Sequence, residues 1–444
     1  MSRRPAGRST LSFVRILASR ETRKPFTWIL AAAVLVTLGI AVQDLYRTFG
    51  ETWFNDFDRW MLMTPAFVHG GGYVDDLLPT PPISLLVLAP FSKLPRSVAQ
   101  FVWVCLKLPM ACLVFLLATA IVARSGTRLN ATALMLIVAC WWLPVIVDMQ
   151  EGQVNFLALL PLIAGLYVAQ RETVAGDLSA GWLIGLGAAV KVTPVVFIAY
   201  FLWKRRWRVA LSGVVSLVAC SVLLPALFFG WDQTIRWLGQ WMNIMIFPYA
   251  VGGKVVYATT QSVGSFALRL LTPQAAFEIH RDDVFRYGYM NLAALSGDVV
   301  HKMVRVAMAA VAIGGLVWTW RPLPTLRSQR YVLEIGAVAA FMLWFSERTW
   351  VHHYISFILT LSAAGMVLSD PAVSEPRRRL MKRLLIFFAI AAACASDLGR
   401  LFGAHGVEWA KAFGVFLWPS VLLTLATLRF AAQDRPAGEA PLPV

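Results

Sequence analysis

Residues 180–208 read AGWLIGLGAAVKVTPVVFIAYFLWKRRWR, and the way they meet a membrane sets the topology of everything after them. About 20 residues of helix cross about 30 Å of hydrocarbon, so the apolar run 180–203 could cross once. That would place the cluster Lys204-Arg205-Arg206-Trp207-Arg208 outside and invert every later loop. A break near Lys191 to Pro194 leaves two arms of about 11 residues, about 16 Å each, or half a bilayer. The stretch then dips in and returns to the cytoplasmic side, or crosses as a strongly bent pair. With this choice the basic clusters fall on the cytoplasmic side, as the positive-inside rule requires, and both termini join them.

Composition makes the membrane unavoidable. Of 444 residues, 58% are hydrophobic and only 14% charged, and the mean hydropathy is +0.65. Soluble domains carry about 25% charge, so too little polar sequence exists here to cover soluble surfaces. A soluble enzyme, a disordered chain and a fibrous protein are excluded. The net charge of +16 comes from short clusters, Arg3 to Lys24, Lys204 to Arg208, Arg321 to Arg330 and Arg377 to Arg383. Their placement between apolar runs fits membrane orientation and argues against nucleic acid as a partner. All five cysteines lie in apolar stretches, with none placed for a disulfide or a zinc site.

The expected fold is an all-α polytopic membrane protein of about 10–12 membrane segments. The candidate segments are 26–45, 102–123, 131–147, 154–170, 208–229, 300–320, 331–346, 351–369, 380–397 and 412–430, besides 180–203. The first is too long for a signal peptide. A basic cytoplasmic N-terminus (1–25) precedes a membrane domain (26–430), and a cytoplasmic tail (431–444) follows. Two long outer loops, 46–101 and 230–299, carry most of the Trp, Tyr, Gly and isolated charges. Long loops of this kind are usually functional, so chemistry is expected at the outer face.

Several residues there can carry it. In Phe54-Asn55-Asp56-Phe57-Asp58-Arg59-Trp60 acidic and aromatic residues alternate. An aspartate that loses solvation beside aromatics can serve as a general base near neutral pH; a wet interfacial loop anchored by its aromatics is the alternative. In Gln150-Glu151-Gly152-Gln153-Val154-Asn155, polar side chains enter the start of a helix, where free N–H groups also point outward. Lys191, inside an apolar stretch, costs on the order of 3 kcal/mol on insertion scales, so function is its default reading and snorkelling the competing one. In Ser346 to Tyr354, a helix would put Arg348 and His352 on one face, able to bind a phosphodiester. An ion pair between Glu347 and Arg348 is the structural alternative. Thr259 to Ser265 reads as a helix cap, and Glu278 to Asp283 as a solvated face. The adjacent His352 and His353 have no second cluster to complete a metal site.

Read in order, these elements resemble the GT-C membrane glycosyltransferases. They are most similar to glycosyltransferase family 87 (DUF2029-like), the polyprenyl-phosphate-mannose-dependent α-mannosyltransferases of phosphatidylinositol mannoside synthesis in mycobacteria. The resemblance spans roughly 26–370. It rests on Asp56 with an aromatic four residues on, a Tyr/Pro-Pro segment before the short run 83–90, and Gly152-Gln153-Val154-Asn155 opening a helix. Lys191-Val192-Thr193-Pro194, a Gln-Ser element at Gln261-Ser262, and His353-Tyr354 complete it. Trp60 stands where the family has tyrosine, and Thr260 where it has asparagine.

The resemblance implies an inverting glycosyltransferase of the bacterial inner membrane, moving a sugar, mannose in the family, from a polyprenyl-phosphate donor to a lipid-linked or glycan acceptor at the extracytoplasmic face. Asp56 would be the base, with Asp58 second. Lys191, Arg348, His352 and His353 would hold the donor phosphate. Trp60, Glu151, Gln153, Asn155, Gln261 and Tyr354 would contact substrate. No cofactor and no metal are expected, since a monophosphate leaving group needs less divalent help than a diphosphate. Partners are the bilayer, the donor and the acceptor. A lipid or solute transporter, which predicts pseudo-symmetric halves, and a lipid-linked glycan ligase remain the alternatives.

Overall fold

The computed structural model describes residues 39, 55–74, 77–250, 259–281, 284–403 and 405–433. The expected N-terminus, the first membrane segment and the tail beyond 433 lie outside them. Helices dominate. In chain order they are α1 (Asp56–Val68), α2 (Ile83–Phe91), α3 (Arg96–Arg124), α4 (Ala131–Gln150), α5 (Asn155–Ala169), α6 (Val174–Val190) and α7 (Val195–Trp203). Next come α8 (Trp207–Phe229), α9 (231–250), α10 (Val263–Leu271), α11 (Gly297–Thr319), α12 (Gln329–Phe345) and α13 (Val351–Ser369). α14 (Glu375–Cys394), α15 (Gly406–Ala412) and α16 (Leu417–Gln433) complete the series. One antiparallel hairpin, β1 (Phe277–Arg281) with β2 (Val284–Gly288), occupies the stretch expected to be only a solvated face.

The protein is an all-α polytopic membrane protein. α3, α4, α8, α11 and α13 are each long and apolar enough to cross, and α15 with the first part of α16 forms a further, 46° bent pair. Other expected segments become shorter helices, such as α5 with 15 residues and α6 with 17.

The stretch 180–203 breaks where the sequence indicates. α6 ends at Val190 and Lys191 is extended (φ −147°, ψ 125°), while Pro194 caps α7. Proline has no N–H to continue a helix and disfavours helical backbone before it. The arms are unequal, 17 and 9 residues, about 25 Å and about 13 Å. The chain returns to its starting side: Arg206, after α7, pairs at 3.2 Å with Glu172, before α6. α6 packs backbone to backbone against both neighbours, since a Cβ on Gly181 or Gly185 would collide with α8 around Gly213, and one on Gly187 with Ala158 of α5. Small residues permit such approach in membranes. Ser212 and Ser216 add bonds to the carbonyls of Leu178 and Trp182, each 2.7 Å.

Two ends of the bundle are thereby defined. At one, the basic clusters tie the connections together: Lys204 donates to the carbonyls of Thr319 and Arg321 and pairs with Glu334 at 2.8 Å, and Arg327 donates to Gln170 O at 2.8 Å. At the other end α1 and α9 lie over the bundle, and α9 latches the first loop. Trp237 and Trp241 donate their indole N–H groups to Gly71 O and Pro79 O, at 2.6 and 3.0 Å.

Candidate active site

At the end opposite the basic clusters lies a cavity of about 490 Å³. Asp56 and Arg59 enter from α1, Glu151 and Gln153 from the α4–α5 turn, and Lys191 from the α6–α7 break. Trp241, Met245 and Tyr249, four residues apart on α9, form a wall of two aromatic rings and a thioether. α9 carries a π-helical turn at Met242–Ile246, a device often found at functional sites. Glu347, Arg348, His352 and His353 face in from the α12–α13 turn, and Lys411 from α15.

Asp56 sits at the first position of α1, half-buried. Gln153 Nε2 donates to its Oδ2, and Arg59 Nη1 lies 3.2 Å from its Oδ1. Burial pushes its carboxyl above the usual carboxylate range, offset in part by Arg59, Arg348, the Gln153 bond and Lys191. Lys191 Nζ donates to Asn155 Oδ1. Arg348 donates to Tyr249 O–H at 3.2 Å and lies over its ring, 5.5 Å from the centroid. His353 Nδ1 accepts from Trp350 N–H at 3.0 Å, which fixes its ring, and His352 meets it edge to face.

Glu347 and Arg348 do not pair. Glu347 Oε2 has no hydrogen-bond partner, and burial pushes this carboxyl up to about 7, with Arg305 opposing. A side chain at Gly264 would strike it. Arg348 and His352 do not share a helix face either: Arg348 lies in the turn before α13, which begins as a 3-10 helix at Val351. The cavity collects both regardless.

Five candidates are held away from the cavity. Asp58 is the third residue of α1 and closes a capping box: its backbone N–H donates to Asn55 Oδ1 at 3.1 Å, and its Oδ2 accepts from Asn55 N–H at 3.3 Å. It also pairs with Arg96 at 3.0 Å, so its carboxylate is committed to structure. Trp60 is fully buried beneath the site and donates to Leu77 O at 3.0 Å. Gln261 is a buried keystone. It donates to the carbonyls of Thr259 and Lys411 and accepts from Phe416 N–H at 3.1 Å, and its backbone N–H donates to Thr349 O. Tyr354 O–H donates to Gln261 O at 3.1 Å. Asn155 stands behind Lys191. The capping reading of 259–265 is met by Ser262, which caps α10.

The sequence reading missed Arg59, Tyr249 and Lys411. Lys411, at the edge of an apolar run, carries the same signal that singled out Lys191. Among the described residues no three His, Cys, Asp or Glu side chains group to hold a metal ion.

A polytopic helical protein whose cavity gathers carboxylates, cations and aromatic side chains from distant helices has the features of a membrane enzyme. The model of glycosyltransferase family 87 matches residues 80–347, and the chain belongs to that family. It is therefore a membrane-embedded glycosyltransferase. Among its relatives is the polyprenol-phosphate-mannose-dependent alpha-(1-2)-phosphatidylinositol mannoside mannosyltransferase of Mycobacterium tuberculosis, 23% identical over 370 residues, 77% of this chain and 75% of the relative. The protein of the same description from Mycolicibacterium smegmatis is 23% identical over 364 residues, 76% of each chain. A phosphatidylinositol pentamannoside mannosyltransferase of Mycobacterium tuberculosis is 23% identical over 388 residues, 84% of this chain and 80% of the relative. No solved structure matches the chain.

Proposed function

We propose that the protein moves a mannosyl group from a polyprenyl-phosphate donor to a hydroxyl of a lipid-linked acceptor, with inversion, at the extracytoplasmic face of the cell membrane. The observation that carries this reading is the meeting of Asp56 with Lys191 and Arg348 in one cavity. The relatives' dependence on polyprenol-phosphate-mannose supports the donor.

The acceptor oxygen attacks the anomeric carbon, its proton passes to Asp56, and the bond from the anomeric carbon to the phosphate oxygen breaks. A carboxylate more basic than usual suits that step near neutral pH. Negative charge grows on the departing phosphate, and Lys191 and Arg348 stabilise it from fixed positions in a partly dry site. His352 and His353 line the same wall. The side assignment rests on charge: the basic clusters among the described residues gather at the opposite end, which the positive-inside rule puts in the cytoplasm with both termini.

Lys191 and Arg348 already offer hydrogen-bond donors to a monophosphate leaving group, so transfer is expected to need no divalent metal. The test is transfer from a short-chain polyprenyl-phosphate-mannose to a membrane lipid extract, before and after chelation. Equal rates and an inverted anomeric configuration agree with the proposal. Loss on chelation that Mn²⁺ or Mg²⁺ restores contradicts metal independence, and retained configuration contradicts direct attack.

A further inference from the structure

Behind Lys191 runs a buried polar chain that joins α3, α4 and α5, and none of its three members lines the cavity. Lys107, midway along α3 and 1% exposed, pairs with Asp148 of α4 at 2.7 Å and donates to its backbone carbonyl at 2.6 Å. Asp148 is fully buried, and its Oδ2 accepts from Asn155 Nδ2 at 2.8 Å. Asn155, first residue of α5, accepts from Lys191 Nζ through its other amide atom, Oδ1. An amide side chain has one accepting end and one donating end, and nothing in its own shape decides which faces where. Here the neighbour decides. An ionised carboxylate can only accept, so Asp148 takes the NH₂ end and leaves the oxygen facing Lys191. Turned over, the amide would present N–H groups to an ammonium and push it away.

We propose that Asp148, held by Lys107, is a positioning residue for the reaction: by fixing the Asn155 amide it aims Lys191 at the donor phosphate. The inference rests on the reading of Lys191 as a phosphate contact. It also gives a buried ion pair on α3 and α4 a purpose beyond stability, which such pairs seldom supply.

Removing one partner would strand a buried charge and risk the fold, so the pair is replaced together, Lys107→Met with Asp148→Leu, an exchange that buried pairs often tolerate. The double variant is compared with the parent in two backgrounds, native Lys191 and Lys191→Met. Residues that hold a metal ligand in place are worth roughly 10–100-fold in affinity or activity, and a lysine held by an amide is expected near the low end of that range. With native Lys191, kcat for transfer from polyprenyl-phosphate-mannose is expected to fall about tenfold, with the melting temperature held. In the Lys191→Met background the same exchange is expected to change kcat less than about twofold, because nothing remains to aim. Undiminished kcat with native Lys191, or equal losses in both backgrounds, overturns the proposal. Reductive methylation of Lys191, read by peptide mass spectrometry, needs no donor. It is expected to run several-fold faster once the Asn155 bond is released, and unchanged labelling also overturns the proposal. If the parent does not transfer mannose at all, the proposed reaction fails, and the labelling still decides whether the chain holds Lys191. If Lys191→Met alone transfers normally, both the phosphate role and its positioning fall.

Discussion

Asp56 and Asp58 are two residues apart and do different things because of Asn55. A polar residue three before an acidic one, Asn55-Asp56-Phe57-Asp58, is the signature of a capping box, and it identifies Asp58 as the cap and leaves Asp56 for the cavity. The family likeness put Asp56 ahead of Asp58 in the sequence, and the capping box supplies the physical reason for that order. Trp60 was legible as an aromatic and not as a buried one, since only the packing of α1 over Trp103 and Trp237 settles which way it turns. The environment of Asp56 makes a pH prediction. A base must be deprotonated, so kcat/KM rises with pH through its raised value and then levels. The Gln153 bond lowers that value, so Gln153→Leu is expected to move the acid limb to higher pH, and a limb that stays in place contradicts the assignment. Glu347 has the opposite kind of consequence, for stability. Its carboxyl is held up to about 7 against 4.5 unfolded, so the folded state binds the proton more tightly. Its cost is absent below the unfolded value, grows as pH rises, and is complete above about 7. Glu347→Gln should therefore raise the melting temperature at pH 8 and change it little at pH 4. A gain of equal size at both would contradict the stated cause.

At the scale of elements, the break in 180–203 was readable because a lysine, a threonine and a proline fall together in an otherwise apolar run. The unequal arms were not, because their lengths are set by packing on α5 and α8. The α12–α13 connection shows the converse: spacing suggested a helix carrying Arg348 and His352, but Thr349 Oγ1 donates to the carbonyls of Leu343 and Ser346 and folds 346–350 into a turn. α6 lies backbone to backbone on α8, where Gly185 meets Gly213. Gly185→Leu forces the helices apart. Overpacking typically costs 1–3 kcal/mol, so a loss of at least about 2 kcal/mol is expected in a reversible denaturation assay. Because Lys191 follows directly on the end of α6, transfer should fall with it, and a variant as stable as the parent would show that the helices do not pack this way.

The whole molecule brings to one cavity residues scattered along the chain between 56 and 411. Composition and basic clusters announced a polytopic helical protein, and the order of short motifs announced the family. The sequence could not announce convergence, since partners such as Lys107 and Asp148, or Gln261 and Lys411, are far apart in the chain. Orientation is testable at this scale. On a cysteine-free background, a cysteine at exposed His69, beside the cavity end, is expected to react with an impermeant maleimide in intact spheroplasts. One at exposed Arg321, in the basic end, is expected to react only after permeabilisation; the reverse pattern would turn the molecule over. The proposed step is that Asp56 takes the acceptor's proton in a transfer from a polyprenyl-phosphate sugar. It is tested most directly by purified wild type beside Asp56→Asn with radiolabelled polyprenyl-phosphate-mannose and a membrane lipid extract. Loss of a general base typically costs 10²–10⁴-fold. Label is expected to pass into a new lipid with wild type and to fall by at least about 100-fold with the variant, whose melting temperature stays near the parent's. Transfer by Asp56→Asn at the wild-type rate would contradict the account.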